Sequence, residues 1–287
     1  MTVRLTLLEA GRSRQLEALA RAGGSWRWIS FPATVAVVEH SRHGVLLFDT
    51  GYSERFFTAT ARLPQQLYRR LVPARLAPGE AAVDQLAALG IEAATVGTVL
   101  LSHLHGDHLS GLRDFPRAAI LLSAATDLRG AAPGRTATGR TAWRTTASGF
   151  LPELLPADLA GRRSDIEALP EVATGLPGFA DGRDVFGDGS AVAVPLPGHA
   201  PGHLGLWLPA TQGPPVFLVG DACWLAAAFT RGALPPAPVR ALAGQAGPAY
   251  RRTVAGLAAL ALARPDVAIV PSHCQDSVAK LRRELSA

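Results

Sequence analysis

Within six residues, His103-Leu-His105-Gly-Asp107-His108 gathers four side chains able to ligate a metal ion. Imidazole nitrogens combined with carboxylate oxygens suit zinc, and iron or manganese accept the same donors. In an extended stretch, residues i and i+2 face the same side. His103 and His105 can therefore hold one ion while Asp107 and His108 turn toward another. Gly106 permits the redirection between the two pairs. A plain polar loop would account for this cluster only if several of the remaining histidines also fell at strand ends by accident.

The elements around the motif are those that could present it. Residues 96–101 form an apolar, β-type run leading straight into His103, so a buried strand is expected to deliver the histidines. The second half of the chain repeats this logic: residues 191–195 precede His199, residues 216–219 precede Asp221, and residues 267–270 precede His273. Runs at 4–8, 33–38 and 45–48 read as further strands, the last two joined by a turn through His40 and His43, and residues 118–123 read as another. Helical spacing predicts helices over 80–89, 248–263 and 276–285. Residues 124–149 read as a helix fragment plus a loop, a candidate lid. Residues 151–189, with four prolines, read as a long connection between two halves. No repeat of solenoid or propeller length is evident.

Composition narrows the class. The chain has 287 residues, 48% apolar and 18% charged, far too apolar for a disordered chain and large enough for one substantial core, so residues 1–287 are expected to form a single domain. The longest apolar stretch, 254–263, is short of a membrane span. The net charge of +5 comes from dispersed arginines, with Lys280 the sole lysine, which argues against a nucleic-acid partner. Glu9 and Arg12 interrupt the N-terminal apolar pattern, and Cys223 and Cys274 make no disulfide framework; both point to a cytoplasmic protein. The two cysteines are read as small buried thiols.

In order along the chain, Asp49-Thr-Gly51, the His103–His108 motif, Phe186-Gly-Asp-Gly-Ser190, Pro197-Gly-His199-Ala-Pro-Gly-His203, Val219-Gly-Asp221 and His273 resemble the metallo-β-lactamase superfamily across nearly the whole sequence. The resemblance implies an α/β fold: a four-layer αββα sandwich of two mixed β-sheets flanked by helices, with a two-metal site at one edge of the sheets. It implies His103, His105 and His199 as ligands of one divalent metal and Asp107, His108 and His273 as ligands of another, with Asp221 bridging. Zinc is the expected metal. Asp107 and Asp221 take the catalytic roles beside a water made nucleophilic by the two cations. Asp49 and His203 are expected to stand behind the ligands. His40 and His43 read as surface turn residues.

Within the superfamily the motif order is most similar to acyl-homoserine lactonase-like hydrolases, many of which carry a tyrosine three residues after the bridging aspartate. Here that position is Trp224. An indole N–H donates one hydrogen bond but is no general acid near neutral pH, so Trp224 is read as shaping an apolar acyl pocket. Residues 56–76 and 124–149 are expected at the rim, with Phe56, Phe57, Tyr68 and Trp143 lining it. The implied activity is hydrolysis of a small carbonyl ester, with a lactone favoured. The alternatives are a glyoxalase II-like thioesterase, a phosphodiesterase, or a metal-containing binding protein without turnover.

Overall fold

The computed structural model describes residues 2–128 and 137–286. Its strands alternate side chains between two faces, and that period of two builds the layers. The first sheet orders β1 (Arg4–Leu16), β2 (Trp28–His40), β3 (Gly44–Phe48), β4 (Val96–Leu100), β5 (Ala119–Leu122) and β6 (Arg163–Asp165). The second orders β12 (Ala268–Pro271), β11 (Val216–Gly220), β10 (Leu204–Leu208), β9 (Val192–Pro195), β8 (Phe179–Asp184) and β7 (Glu171–Leu176). Both sheets are mixed: β3 to β6 run parallel beyond an antiparallel β1–β2–β3 edge, and β11–β12 is the parallel pair of the second sheet.

Alternate residues of one strand enter different cores. Ala36, Val38, Leu46 and Phe48 of the first sheet meet Ala193, Leu206, Val216 and Leu218 of the second in the layer between the sheets. Val35, Val37 and Leu47 point the other way, under the helix Ala82–Ala88 through its Leu86. On the far side, Phe217, Val219 and Val194 pack against Tyr250, Val254, Leu257 and Leu260 of the helix Pro248–Ala263. The result is helices, sheet, sheet, helices. Burying an aliphatic side chain contributes roughly 1.5–3 kcal/mol, and a one-residue slip in any of these strands would exchange the residues of its two cores and spoil the fit of both at once.

The segment 151–189 is more than a connection. It carries β6 and the antiparallel hairpin β7–β8, which extends the second sheet. Among the described residues, no helix is long and apolar enough to cross a membrane.

Candidate metal centre

Every strand that leads to a candidate ligand ends at the same edge of the sandwich. β3 and β4 are parallel, and β9 and β11 share a direction because β10 runs antiparallel to both. Their C-terminal ends deliver Asp49, the His103–His108 motif, His199 and Asp221, and β12, parallel to β11, delivers His273. The two sheets are locked at this point by the Leu204 N–H donating to the Ser102 carbonyl, 2.9 Å. Gly106 does not adopt a left-handed backbone; it is required for space, since a Cβ there would lie 2.7 Å from the buried Phe56 ring.

The donor atoms form two groups, His103, His105, His199 and Asp221 on one side and Asp107, His108 and His273 on the other, each with its atoms within 4.8 Å of one another. His199 Nε2 stands 3.2 Å from both His103 Nε2 and His105 Nδ1. Asp221 faces both groups. Its Oδ2 is 3.4 Å from His199 Nε2, while its Oδ1 is 3.1 Å from His273 Nε2 and 3.4 Å from His108 Nε2. Asp107 Oδ2 closes the second group 3.4 Å from His273 Nε2.

The other nitrogen of four of these imidazoles is fixed from outside. His108 Nδ1–H donates to Asp49 Oδ2 at 2.7 Å, and His103 Nδ1 lies 2.9 Å from the Ser102 hydroxyl, which in turn donates to Asp49. His273 Nδ1–H donates to the Pro32 carbonyl at 2.8 Å and His105 Nε2–H to the Ser148 carbonyl at 3.0 Å. Outward donation puts the proton on one nitrogen and aims the lone pair of the other into the site, the arrangement that metal-binding histidines require. His108 Nε2 and Asp221 Oδ1 are buried without a hydrogen-bond partner among the described residues. Buried polar atoms left unmatched cost roughly 1–3 kcal/mol each, and a cation between them would satisfy both. The residues fit two divalent metal ions.

Electrostatics divides the site in the same way. Burial holds His103, His105 and His199 below the usual imidazole range, so they are neutral. Burial also disfavours the charged forms of His108 and His273, but the carboxylates of Asp49, Asp107 and Asp221 outweigh it at His108, and Asp221 and Asp107 do so at His273; both are raised. Burial works against ionisation of Asp221, yet His273 and His108 hold its carboxyl well below the ordinary value.

The residues expected behind the ligands are in contact with them. Asp49 is fully buried with a left-handed φ of 63°, accepting from Ser102 N–H at 2.7 Å as well as from His108. His203 does not point into the site. Its Nδ1–H donates to the Leu196 carbonyl at 3.1 Å and its Nε2 accepts the Asp221 backbone N–H at 3.0 Å, so it grips the backbone of the bridging candidate. Burial lowers its pKa to about 4 and keeps it in this accepting form. Cys223 and Cys274 are buried free thiols.

The pocket residues separate. Phe56 is 0% exposed in the core beneath Gly106 and cannot form a rim, because its ring fills the space that the glycine leaves. Tyr68 is half-buried and packs against the same core. Phe57 lines a different groove, with Arg12, Arg75 and Glu80. Trp143 is exposed on the helix Gly139–Ala147. That helix walls a cavity of about 400 Å³ beside His105, lined also by Leu104, Thr126, Thr141, Arg144, Thr145, Phe150 and Pro201. Part of the candidate lid, residues 129–136, lies outside the described residues. The indole N–H of Trp224 donates to Asp221 Oδ2 at 3.2 Å while its ring meets Phe31 edge-on; Phe31 in turn stacks on His273. His40 is no surface residue. It is buried, its Nε2–H donating to Asp188 Oδ2 at 3.0 Å and its Nδ1 accepting from the backbone of Arg42 and His43, so it ties the β2–β3 turn to the Phe186–Ser190 loop. Sequence reading did not single out Ser102, Tyr52 or Gln245, whose side chains are buried around the site.

Residues 29–272 match the family model described as the metallo-beta-lactamase superfamily. The metallo-hydrolase mfmC of Annulohypoxylon moriforme is 33% identical over 145 residues, which cover 49% of this chain and 34% of that protein. The N-acyl homoserine lactonase AttM of Rhizobium radiobacter is 30% identical over 154 residues, 53% of this chain and 51% of that protein. The matches therefore span about a third to a half of the length of these relatives. Among solved structures, an N-acyl homoserine lactone hydrolase with the product N-hexanoyl-L-homoserine bound at its catalytic metal center superposes with a TM-score of 0.69 at 19% identity, covering 98% of this chain and 97% of that one. AidC, a dizinc quorum-quenching lactonase, superposes with a TM-score of 0.59 at 14% identity over 95% and 88%. These likenesses establish a shared fold.

Proposed function

The chain belongs to the metallo-β-lactamase superfamily, and from that premise we propose that it is a dinuclear metal-dependent hydrolase of carbonyl esters, with a lactone as the favoured substrate. The observation that carries this reading is Asp221, whose two carboxylate oxygens each face a separate group of histidines. His103, His105 and His199 would hold one divalent cation, Asp107, His108 and His273 the other, with Asp221 between them; zinc suits these nitrogen and oxygen donors. Bound there, two cations would supply an acidified water as nucleophile and an electrophile for the carbonyl oxygen.

The protein's own part is positioning. Asp49, Ser102, Pro32 and Ser148 fix the rings of four histidines, and His203 and Trp224 fix Asp221 from its backbone and its carboxylate. Asp107 is the one carboxylate of the site with appreciable side-chain exposure, 11%, which supports the reading that it would orient the attacking water and accept its proton. The cavity beside His105 is of a size that accommodates a small or medium ester. The relatives named as N-acyl homoserine lactonases support a lactone over other esters. The test is a panel of lactone, thioester, β-lactam and phosphodiester substrates with the zinc-loaded protein. Ring opening of lactones above the other classes is expected. Turnover confined to thioesters or phosphodiesters would overturn the substrate assignment, and no turnover of any class would overturn the enzymatic one.

A further inference from the structure

His199 differs from the other four histidines of the site. Each of those directs its outer nitrogen toward an oxygen that can accept a hydrogen bond. The outer nitrogen of His199, Nδ1, faces instead the amide nitrogen of Gln245 at 3.4 Å. Gln245 is 0% exposed, and its Oε1 is buried with no hydrogen-bond partner among the described residues.

The two facts belong together. With Nδ1 accepting from the amide N–H, the single proton of a neutral His199 sits on Nε2, the nitrogen turned toward His103, His105 and Asp221. That tautomer cannot ligate, because a metal needs the Nε2 lone pair. When Nε2 is a ligand the proton is on Nδ1, and an N–H then faces an N–H. A half-turn of the terminal amide exchanges its oxygen and nitrogen with almost no change of shape. It brings the unpartnered Oε1 to the Nδ1–H.

We propose that Gln245 is a positioning residue for His199, its carboxamide oxygen accepting the Nδ1–H that accompanies ligation of a metal ion through Nε2. The inference rests on the dinuclear reading above and adds a fifth outer partner to the four already described. It also assigns a role to the segment between the helices Ala237–Leu242 and Pro248–Ala263, which brings Gln245 against the ligand.

Two variants separate this role from packing. Gln245→Met keeps the length of the side chain and removes the acceptor; Gln245→Glu offers acceptor oxygens only. Zinc affinity is measured by competition with a chromophoric chelator, and the coordination of His199 is followed in the visible absorption of the cobalt-substituted protein. The expected result is a loss of about 10- to 100-fold in affinity for Gln245→Met with an altered cobalt spectrum. Gln245→Glu is expected to retain wild-type affinity and spectrum, since a carboxylate accepts the Nδ1–H. A merely structural role predicts the opposite order, because an apolar side chain is the better tolerated at a buried position. Wild-type affinity in Gln245→Met, or equal losses in both variants, overturns the inference and leaves the hydrolase reading standing. Absence of any zinc binding by the wild type overturns both.

Discussion

Replacing Asp49 by Asn tests the idea that the outer hydrogen bonds set the ligands. Asp49 Oδ1 accepts the Ser102 N–H at 2.7 Å, while Oδ2 accepts the Ser102 hydroxyl at 2.8 Å and His108 Nδ1–H at 2.7 Å. Asn keeps the volume and tolerates the left-handed backbone at this position, so the backbone is not a confounding factor. With the amide oxygen toward Ser102 N–H, its NH2 group occupies the place of Oδ2. Ser102 can rotate its hydroxyl to accept; His108 Nδ1–H cannot. One buried donor is left unmatched, a cost of about 1–3 kcal/mol. Alternatively the His108 proton moves to Nε2, which removes the lone pair aimed at the site. The expected outcomes are a zinc affinity lower by about 10- to 100-fold and a melting temperature of the metal-free protein lower by roughly 2–12 °C, at 2–4 °C per kcal/mol for a chain of this size. Chelator competition and thermal denaturation followed by circular dichroism measure the two. An Asp49→Asn protein with wild-type zinc affinity and an unchanged melting temperature would refute the reasoning.

Three further outcomes are expected. Gly198→Ala places a Cβ 2.3 Å from the Tyr250 Cα at a φ of 136°, next to His199, and should cost more than about 2 kcal/mol, read as a large drop in melting temperature; near-native stability would show that the helix Pro248–Ala263 is free to shift. Trp224→Phe keeps the ring against Phe31 and loses the donor to Asp221, so zinc affinity should fall by roughly 10- to 100-fold for a hydrogen bond to a charged group; a change in KM alone would return Trp224 to a pocket role. Glu17 has its pKa lowered from 4.5 to about 2, chiefly by the Ser25 hydroxyl and backbone N–H with Arg21 adding to them. A carboxylate depressed in the folded state stabilises above the unfolded pKa and loses that contribution as pH falls from 4.5 toward 2. Melting curves of Glu17→Gln should therefore decline less steeply than wild type over that window, and parallel declines would count against the Glu17 cluster.

The parts of this molecule that could be read from the sequence are those whose evidence is local. The His103–His108 motif carries its chemistry in residue type and spacing, and β4, β9, β11 and β12 announce themselves as short apolar runs that lead into a Gly, Pro or His. The hairpin β7–β8 was not visible, because Glu171–Leu176 and Phe179–Asp184 alternate weakly and sit among prolines that suggest loop. Phe56 reads as a rim residue because two adjacent aromatics in a polar stretch carry no periodicity; its burial depends on the space left by Gly106, a tertiary fact. The burial of His40 is hidden from the sequence for the same reason, its partner Asp188 lying 148 residues away. Gln245 offers no local pattern at all. Only the fold brings it to His199, which is why the positioning residues of a site are harder to read than its ligands.

The central claim is that Asp221 stands between two metal ions, and the stoichiometry of metal binding tests it most directly. Native mass spectrometry of the protein equilibrated with zinc, read beside the metal content after gel filtration, gives the number of ions per chain. The arrangement of His103, His105 and His199 on one side of Asp221 and Asp107, His108 and His273 on the other predicts two zinc ions per chain at saturation. Saturation at one ion per chain with full hydrolytic activity would contradict it.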